Sequence, residues 1–550
     1  MPKKRIFRIL SVENLILYAC SLLIGIFIGF SFSKVMIMIL FKITNINAIA
    51  TLHFSVKALT QTLIVFGVIY LFIMIMNYAF IKSQTILSLF KFSSVTENKN
   101  KRISVVEIII GVLGIIFIAF GYYISSRLFS GSFGTMNEIT LVMLTILASV
   151  IIGTYFFYKG SVRFLLNIAR KSKNGYLNIN EVLSLSSIMF KMKANSFMLT
   201  VITTISALAI GFLCLSYISY YSIGALARES VPDDFTISSP ENANLFKTTL
   251  ENEHIPYTEK RTEVIFMKVN MENIIKSGIN SSSTMILPIV SEKEVEGVKL
   301  SEKETLLTGY NDALKGMMSF KNSGYVEIKG KHTVITQRFI GIDRKFVIST
   351  AFTRISLPSV IVDDKVFRQL KKDINPSTQN DSSLYIGLSL QNENDSIKAN
   401  KIFKRTKFDN NGVNLSRMEM VASQKQMMGV IMFIVGFLGL TFLITSGCIL
   451  YFKQMDESEN EKSNYTILKK LGFTDKDLIK GIRIKQIFNF GIPLVIGLSH
   501  SYFAVKSGWF YFGKELWTPM IIVMILYTIL YSFFGILSVL YYKKVIKQAL

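Results

Sequence analysis

The sequence predicts a polytopic α-helical membrane protein of about eight spanning helices with one large extracellular α+β domain, and three observations carry that prediction. Half of the 550 residues are hydrophobic and only 18% are charged, against roughly 25% charged in average soluble proteins. The apolar residues gather in runs near the roughly 20 residues that a helix needs to cross the hydrocarbon core. The polar residues gather in one block, Arg228 to Lys425. Disorder requires low hydrophobicity and is excluded.

Eight runs qualify as spans: Asn14–Phe32 (apolar again as far as Phe41), Ala58–Ile81, Val105–Ile124, Ile139–Tyr158, Ser196–Tyr221, Met427–Phe452, Ile487–Ala504 and Thr518–Tyr542. The basic start MPKKRIFRIL lacks a small-residue cleavage site after its long apolar stretch, so it reads as a retained helix. With the N-terminus inside, the short inner segments collect about 27 Lys and Arg against about five outside, the bias that sets orientation. Both termini are then cytoplasmic and 223–425 is extracellular. The chain divides into 1–91, a first half with two spans; 92–195, a middle pair with a cytoplasmic segment; 196–222, a span; 223–425, the outer domain; and 426–550, a second half with three spans.

Net charge is +24, from 61 Lys+Arg against 37 Asp+Glu. Nucleic acid suits such a balance only where the basic residues gather on a soluble module. Here the polar block is nearly balanced and the excess flanks the spans, where an anionic lipid surface attracts it. The three Cys all sit in apolar runs, so no disulfide framework exists. The four His are scattered without metal-ligand spacing. No catalytic residue, metal site or cofactor is expected.

The outer block reads as alternating strands and short helices. Asp234–Ile237 is a strand, and Ser239-Pro240 caps and opens a helix through Leu250. Val264–Met271 and Tyr325–Ile328 alternate as half-buried strands do. Ser359–Val362 leads through Asp363-Asp364 into a helix with Val366, Phe367 and Leu370 on one face, and Leu384–Leu390 leads into a helix from about Asp395. Nothing catalytic stands out, so the block reads as a binder whose contact residues the sequence leaves unknown.

Gly508–Lys514 has the spacing G-x-x-x-x-G-K, but Glu515 replaces the Ser/Thr that would ligate magnesium and four bulky residues fill the loop. It reads instead as an aromatic anchor with Trp509 and Trp517. Ionisable residues at membrane depth are few (Lys34, Glu107 and His500), with snorkelling accounting for Lys34 and Glu107. An ion-coupled carrier would show a carboxylate relay, so the energy source is external. Gly25-x-x-x-Gly29 and Ser149-x-x-x-Gly153 allow close helix packing.

The most informative stretch is the cytoplasmic Ser463–Gln486. Ile467, Leu468 and Leu471 form an apolar stripe beside Lys469 and Lys470, Gly472 suits a left-handed C-cap, and Thr474 with Asp477 opens a second helix as a capping box. Such a helix–turn–helix suits docking into another protein's groove; resting on lipid headgroups is the other reading. A weak repeat at an offset of 472 positions lays Lys4–Leu10 over Lys476–Ile482 and Leu22–Gly25 over Leu494–Gly497. It implies two related helical halves, the first lacking the docking helix and preceding spans, hence an expected missing N-terminal portion.

These residues resemble the FtsX-like permease superfamily, in particular the Bce-type permeases that protect Gram-positive bacteria against bacitracin and related peptides. The resemblance is carried by SVENLILYACSLLIG, IMNYAFIKSQTILSLFK, KSKNGYLNINEVLSLSSIMFKMK, SALAIGFLCLSYISYYS and the long stretch from MFIVGFLGL to GIRIKQ. It implies ten helices in the full family, pairing with two copies of a separate ATPase, and release of a lipid pyrophosphate target from a peptide antibiotic. It also implies a membrane histidine kinase as signalling partner. Ile467, Leu468, Lys469, Leu471, Gly472, Thr474 and Asp477 would form the ATPase-coupling segment. Two other readings stand beside it: mainly a sensor for the kinase without transport, or a lipid or lipoprotein exporter of the FtsX/MacB-like kind.

Overall fold

All eight apolar runs form helices long enough to cross a membrane. The computed structural model describes residues 3–44, 46, 48–83, 105–129, 133, 135–162, 164, 192–278, 283–310, 312–353, 357–379, 383–409 and 412–549. Lys91, Lys99, Lys101, Arg102, Arg163, Arg170, Lys171, Lys173 and Lys191 of the inner basic set, and most of KSKNGYLNINEVLSLSSIMFKMK, lie outside the described residues.

Residues 1–104 form one compact unit. In it α1 (Lys3–Thr44) and α2 (Val56–Ser83) lie antiparallel. Lys3 Nζ at the start of α1 donates to Lys82 O near the end of α2 at 3.0 Å, and Tyr18 OH donates to Phe66 O at 2.8 Å. Among the described residues, nothing outside the helix's own backbone lies within 4 Å of where a Cβ on Gly25 or Gly29 would stand.

Residues 105–550 form the second unit. It holds spans α3 (Val105–Arg127), α4 (Met136–Phe156) and α5 (Ser196–Ser230). A π turn, Phe157–Ser161, continues α4. It accommodates very close backbone approach: a Cβ on Gly160 would stand 2.6 Å from Glu107 O of α3. The Ser149–Gly153 pair packs as expected, with Ser149 Oγ donating to Phe117 O at 2.7 Å.

The polar domain between spans contains α6 (Pro240–Asn252), α7 (Asp312–Met317), α8 (Asp364–Lys372) and α9 (Ser396–Arg405). Its strands are β1 (Phe235–Ile237), β2 (Tyr257–Glu263), β3 (Ile265–Asn270), β4 (Ile275–Gly278), β5 (Thr284–Ser291), β6 (Glu304–Thr308), β7 (Met318–Phe320), β8 (Gly324–Lys329), β9 (Val334–Asp343), β10 (Ser359–Val362), β11 (Leu384–Leu390) and β12 (Asn414–Ser416). Six of them close into a barrel in the order β10-β5-β3-β8-β9-β6, and four form a sheet in the order β12-β1-β11-β2. The amphipathic face of α8 packs Val366, Phe367 and Leu370 into the same core as Met267, Leu287 and Val360 of the barrel. The sheet is packed by Phe246 of α6 and Phe403 of α9 against Phe235 and Leu388. Alternation along β3 feeds two cores: Ile265, Met267 and Val269 join the α8 core, whereas Phe266 joins the one holding Tyr385.

Returning to the helical body, α10 (Arg417–Asn460) is followed by α11 (Lys462–Lys470), α12 (Asp475–Gly508) and α13 (Trp517–Gln548). One core unites α5, α10, α12 and α13 through Ile202, Ile210, Leu443, Leu450, Phe490 and Tyr531. The domain enters and leaves this body as a paired stalk, because β1 pairs with β12, Phe235 opposite Ser416. There Arg417 donates to Pro232 O at 3.0 Å and pairs with Asp234.

Chain direction then fixes an arrangement that matters for function. α5 ends and α10 begins at the domain, and the short helix α7 lies against the turn Trp509–Tyr511 that follows α12. α10 and α13 end, and α12 begins, at α11. Domain and α11 therefore cap opposite ends of the bundle.

Candidate functional site

The α11–α12 connection is a tightly specified turn. At its centre Gly472 has φ +93°, in the left-handed region. Gly472 N–H donates to Lys469 O at 3.0 Å and Phe473 N–H to Leu468 O at 3.2 Å, the paired closing bonds of a Schellman C-cap. The hydrophobic partner of that motif is present, since Leu468 and Phe473 join one cluster. Thr474 then caps α12: Asp477 N–H donates to Thr474 Oγ1 at 3.3 Å and Thr474 N–H to Asp477 Oδ2 at 3.2 Å.

The hairpin is anchored on one face and open on the other. Tyr465, Leu478 and Ile482 are buried against Tyr542 and Ile546 near the end of α13. Lys469 Nζ donates to Ile546 O at 2.7 Å and pairs with Asp475 at 3.0 Å. The Tyr465 hydroxyl donates to Glu461 at 2.5 Å, and burial, with that carboxylate beside it, holds its pKa far above the usual tyrosine value. Outward, Ile467 is 56% and Leu471 70% exposed, and Gly472, Thr474 and Asp477 also face out. The stripe read from sequence is thus divided: Leu468 and Lys469 position the turn, whereas Ile467 and Leu471 form its free apolar surface. Two such residues at the tip of a braced hairpin suit insertion into a shallow protein groove.

Around the hairpin the structure adds residues that sequence reasoning missed. Lys485, one of the basic residues of the Ser463–Gln486 stretch, is buried: its Nζ donates to Glu461 at 2.9 Å and to the Tyr542 hydroxyl at 3.0 Å. Glu107 is paired with Lys193 rather than snorkelling alone. His500 is buried in the bundle, with Tyr122 OH 2.6 Å from Nδ1 and Thr154 Oγ1 2.8 Å from Nε2. Spacing in sequence could not expose these pairs, whose partners lie tens to hundreds of positions away.

The Gly508–Lys514 segment is no phosphate cradle. Phe512 and Gly513 N–H both donate to Trp509 O, at 2.9 and 3.1 Å. Lys514 N–H donates to Ser222 Oγ at 2.9 Å, and the Lys514 ammonium pairs with Glu229. The amides that a P-loop would turn to a nucleotide are spent inside the fold. Among the described residues no group of three or more His, Cys, Asp or Glu is placed to hold a metal ion.

Among the described residues, eight helices long and apolar enough to cross a membrane and an inserted α+β domain define a multi-pass membrane protein. No family model matches the chain. Comparison with known proteins nonetheless places it within a class: it is 23% identical to the uncharacterised ABC transporter permease YvcS of Bacillus subtilis, over 99% of this chain and 84% of that protein. It is 56% identical to the bacitracin export permease protein BceB of Halalkalibacterium halodurans, over 100% of this chain and 86% of that protein. The protein of the same name from Bacillus subtilis is also 56% identical, over 100% of this chain and 85% of its own length. The chain belongs to the bacitracin export permease family of ABC transporter permeases.

Proposed function

We infer that this chain is the permease subunit of an ABC transporter that confers resistance to bacitracin-like peptide antibiotics. ATP is hydrolysed by a separate subunit, present in two copies, one of which seats on the hairpin through Ile467 and Leu471. Its closure pushes α11 and the start of α12, and the long helices α10 and α12 pass the motion to the polar domain. That domain faces outward, both termini face the cytoplasm, and movement of the domain frees the drug from its lipid pyrophosphate target. Occupancy of the transporter is reported to a partner histidine kinase.

The observation that supports this most is the placement of hairpin and domain at opposite ends of one bundle. It gives a cytosolic motor and an outer binding domain a continuous helical connection. Family membership supports the drug class, and the inner bias of Lys and Arg supports the orientation. The test is the paired charge substitution Ile467→Asp with Leu471→Asp. Both side chains are exposed, so insertion is expected to be unchanged while the ATPase no longer co-purifies and bacitracin resistance is lost. Retention of the ATPase and of full resistance would refute the seat.

A further inference from the structure

Lys485 carries a positive charge that the fold takes out of solvent, leaving its side chain 3% exposed. The groups around it come from α10, the α10–α11 junction and α13. Its ammonium donates to both carboxylate oxygens of Glu461, at 2.9 and 3.0 Å, and to Tyr542 OH of α13 at 3.0 Å. Glu457, near the end of α10, stands 3.8 Å away. Tyr465 of α11 donates to the same Glu461 at 2.5 Å, and Asn195, just before α5, donates to Glu457 at 3.5 Å. One turn further along, Gln486 and Asn489 both donate to Gln454 Oε1 at 2.9 Å, extending the polar seam between α12 and α10.

Stability alone does not account for such a cluster. Well-packed apolar residues of similar volume often serve as well or better than a buried ion pair, whereas fixing a single register is the best attested use of buried charge. This cluster has that geometry, for one ammonium hydrogen-bonds Glu461 at the α10–α11 junction and Tyr542 of α13 while pairing with Glu457 of α10, and sliding α12 by a turn would separate them. α10 is 44 residues long, about 66 Å at 1.5 Å per residue, and its far end is pinned to the domain stalk through Arg417, Asp234 and Pro232. A displacement entering at the hairpin reaches the domain through α10 only if α11, α12 and the end of α10 move as one piece.

We propose that Lys485 is a positioning residue which, through Glu461, Glu457 and Tyr542, locks the hairpin to the ends of α10 and α13, so that a push on the hairpin becomes movement of the domain. This rests on the reading of the hairpin as the ATPase seat. Loss of the lock leaves the seat intact but lets the hairpin move without α10.

The test uses the full chain with its ATPase in native membranes and compares Lys485→Met, Lys485→Arg and the double variant Lys485→Met with Glu461→Gln. The double variant removes both members of the closest pair, and replaces Lys485→Met should the single variant fail to insert. Expected are unchanged co-purification of the ATPase, ATP hydrolysis within two-fold of wild type and bacitracin resistance reduced at least ten-fold. Lys485→Arg is expected to restore half or more of that resistance. Full resistance in the double variant, or loss of hydrolysis and resistance in equal proportion, overturns the lock while leaving the seat in place. Failure of the wild-type chain to retain any ATPase, with Ile467→Asp lacking effect, overturns the seat and the lock with it.

Discussion

Replacing Gly472 by Val tests the turn on which the proposed coupling depends. The residue sits at φ +93°, a region that costs an L-residue with a Cβ roughly 1–2 kcal/mol. Among the described residues nothing beyond its chain neighbours lies within 4 Å of the position a Cβ would take, so the penalty is the local clash of Cβ with its own backbone and not a clash with the rest of the fold. Converted to an equilibrium, that shifts the population of the closed turn by a factor of roughly 5–30. The turn's closing bonds, Gly472 N–H to Lys469 O and Phe473 N–H to Leu468 O, loosen with it, and Leu471 loses its fixed direction. Minimum inhibitory concentration of bacitracin and ATP hydrolysis, measured in the same membranes, read the outcome. Gly472→Val and Gly472→Ala should both uncouple hydrolysis from resistance without reducing membrane insertion. Gly472→Asn should retain most function, because Asn enters the left-handed region more readily. Full resistance in the Val variant, or a Val variant inactive beside a normal Ala variant, would show that the left-handed turn at Gly472 is not needed for coupling.

Two further predictions concern the polar domain. Phe367→Ala empties a fully packed position where α8 meets the barrel and should cost about 3–5 kcal/mol of domain stability. Hydrogen exchange in detergent should show this as lost protection across the barrel strands with the spans unchanged. Glu304 is held down to about 2, chiefly by its hydrogen bond to Arg338, with Ser301 assisting. A carboxylate depressed in the fold adds stability that is complete above its unfolded value of about 4.3 and disappears as pH falls toward 2. Pepsin should therefore cleave the domain of the Arg338→Met variant at a higher pH than that of wild type; identical pH profiles would contradict the assignment.

What was legible in the sequence follows from the range over which each interaction acts. The spans were legible because about 20 successive apolar residues decide membrane insertion locally, and every run lies within a long helix. Their full lengths were not, since polar ends such as Arg417–Gln426 continue the helix outside the apolar window. β10 and β11 were read to the residue from their apolar runs and flanking caps, and α6 from Ser239-Pro240. The barrel was not legible, because its closure depends on pairings such as β10 with β5 and β6 with β9 that link distant, parallel segments. In the hairpin, Gly472 and the Thr474–Asp477 box were legible from spacing alone. The inward turn of Leu468 and Lys469 was not, since both answer to α13, as Lys469 does through Ile546. Lys485 looked like one more surface charge because its acceptors, Glu461 and Tyr542, lie 24 and 57 positions away.

The most direct test is a photo-crosslinker placed in turn at Leu471 on the hairpin and at Tyr325 on the polar domain, which are 70% and 57% exposed. In cells expressing the chain with its ATPase, the crosslinker at Leu471 is expected to capture the ATPase subunit and the one at Tyr325, on the polar domain, is not. Capture of the ATPase from Tyr325, with Leu471 joined only to lipid, would contradict that expectation.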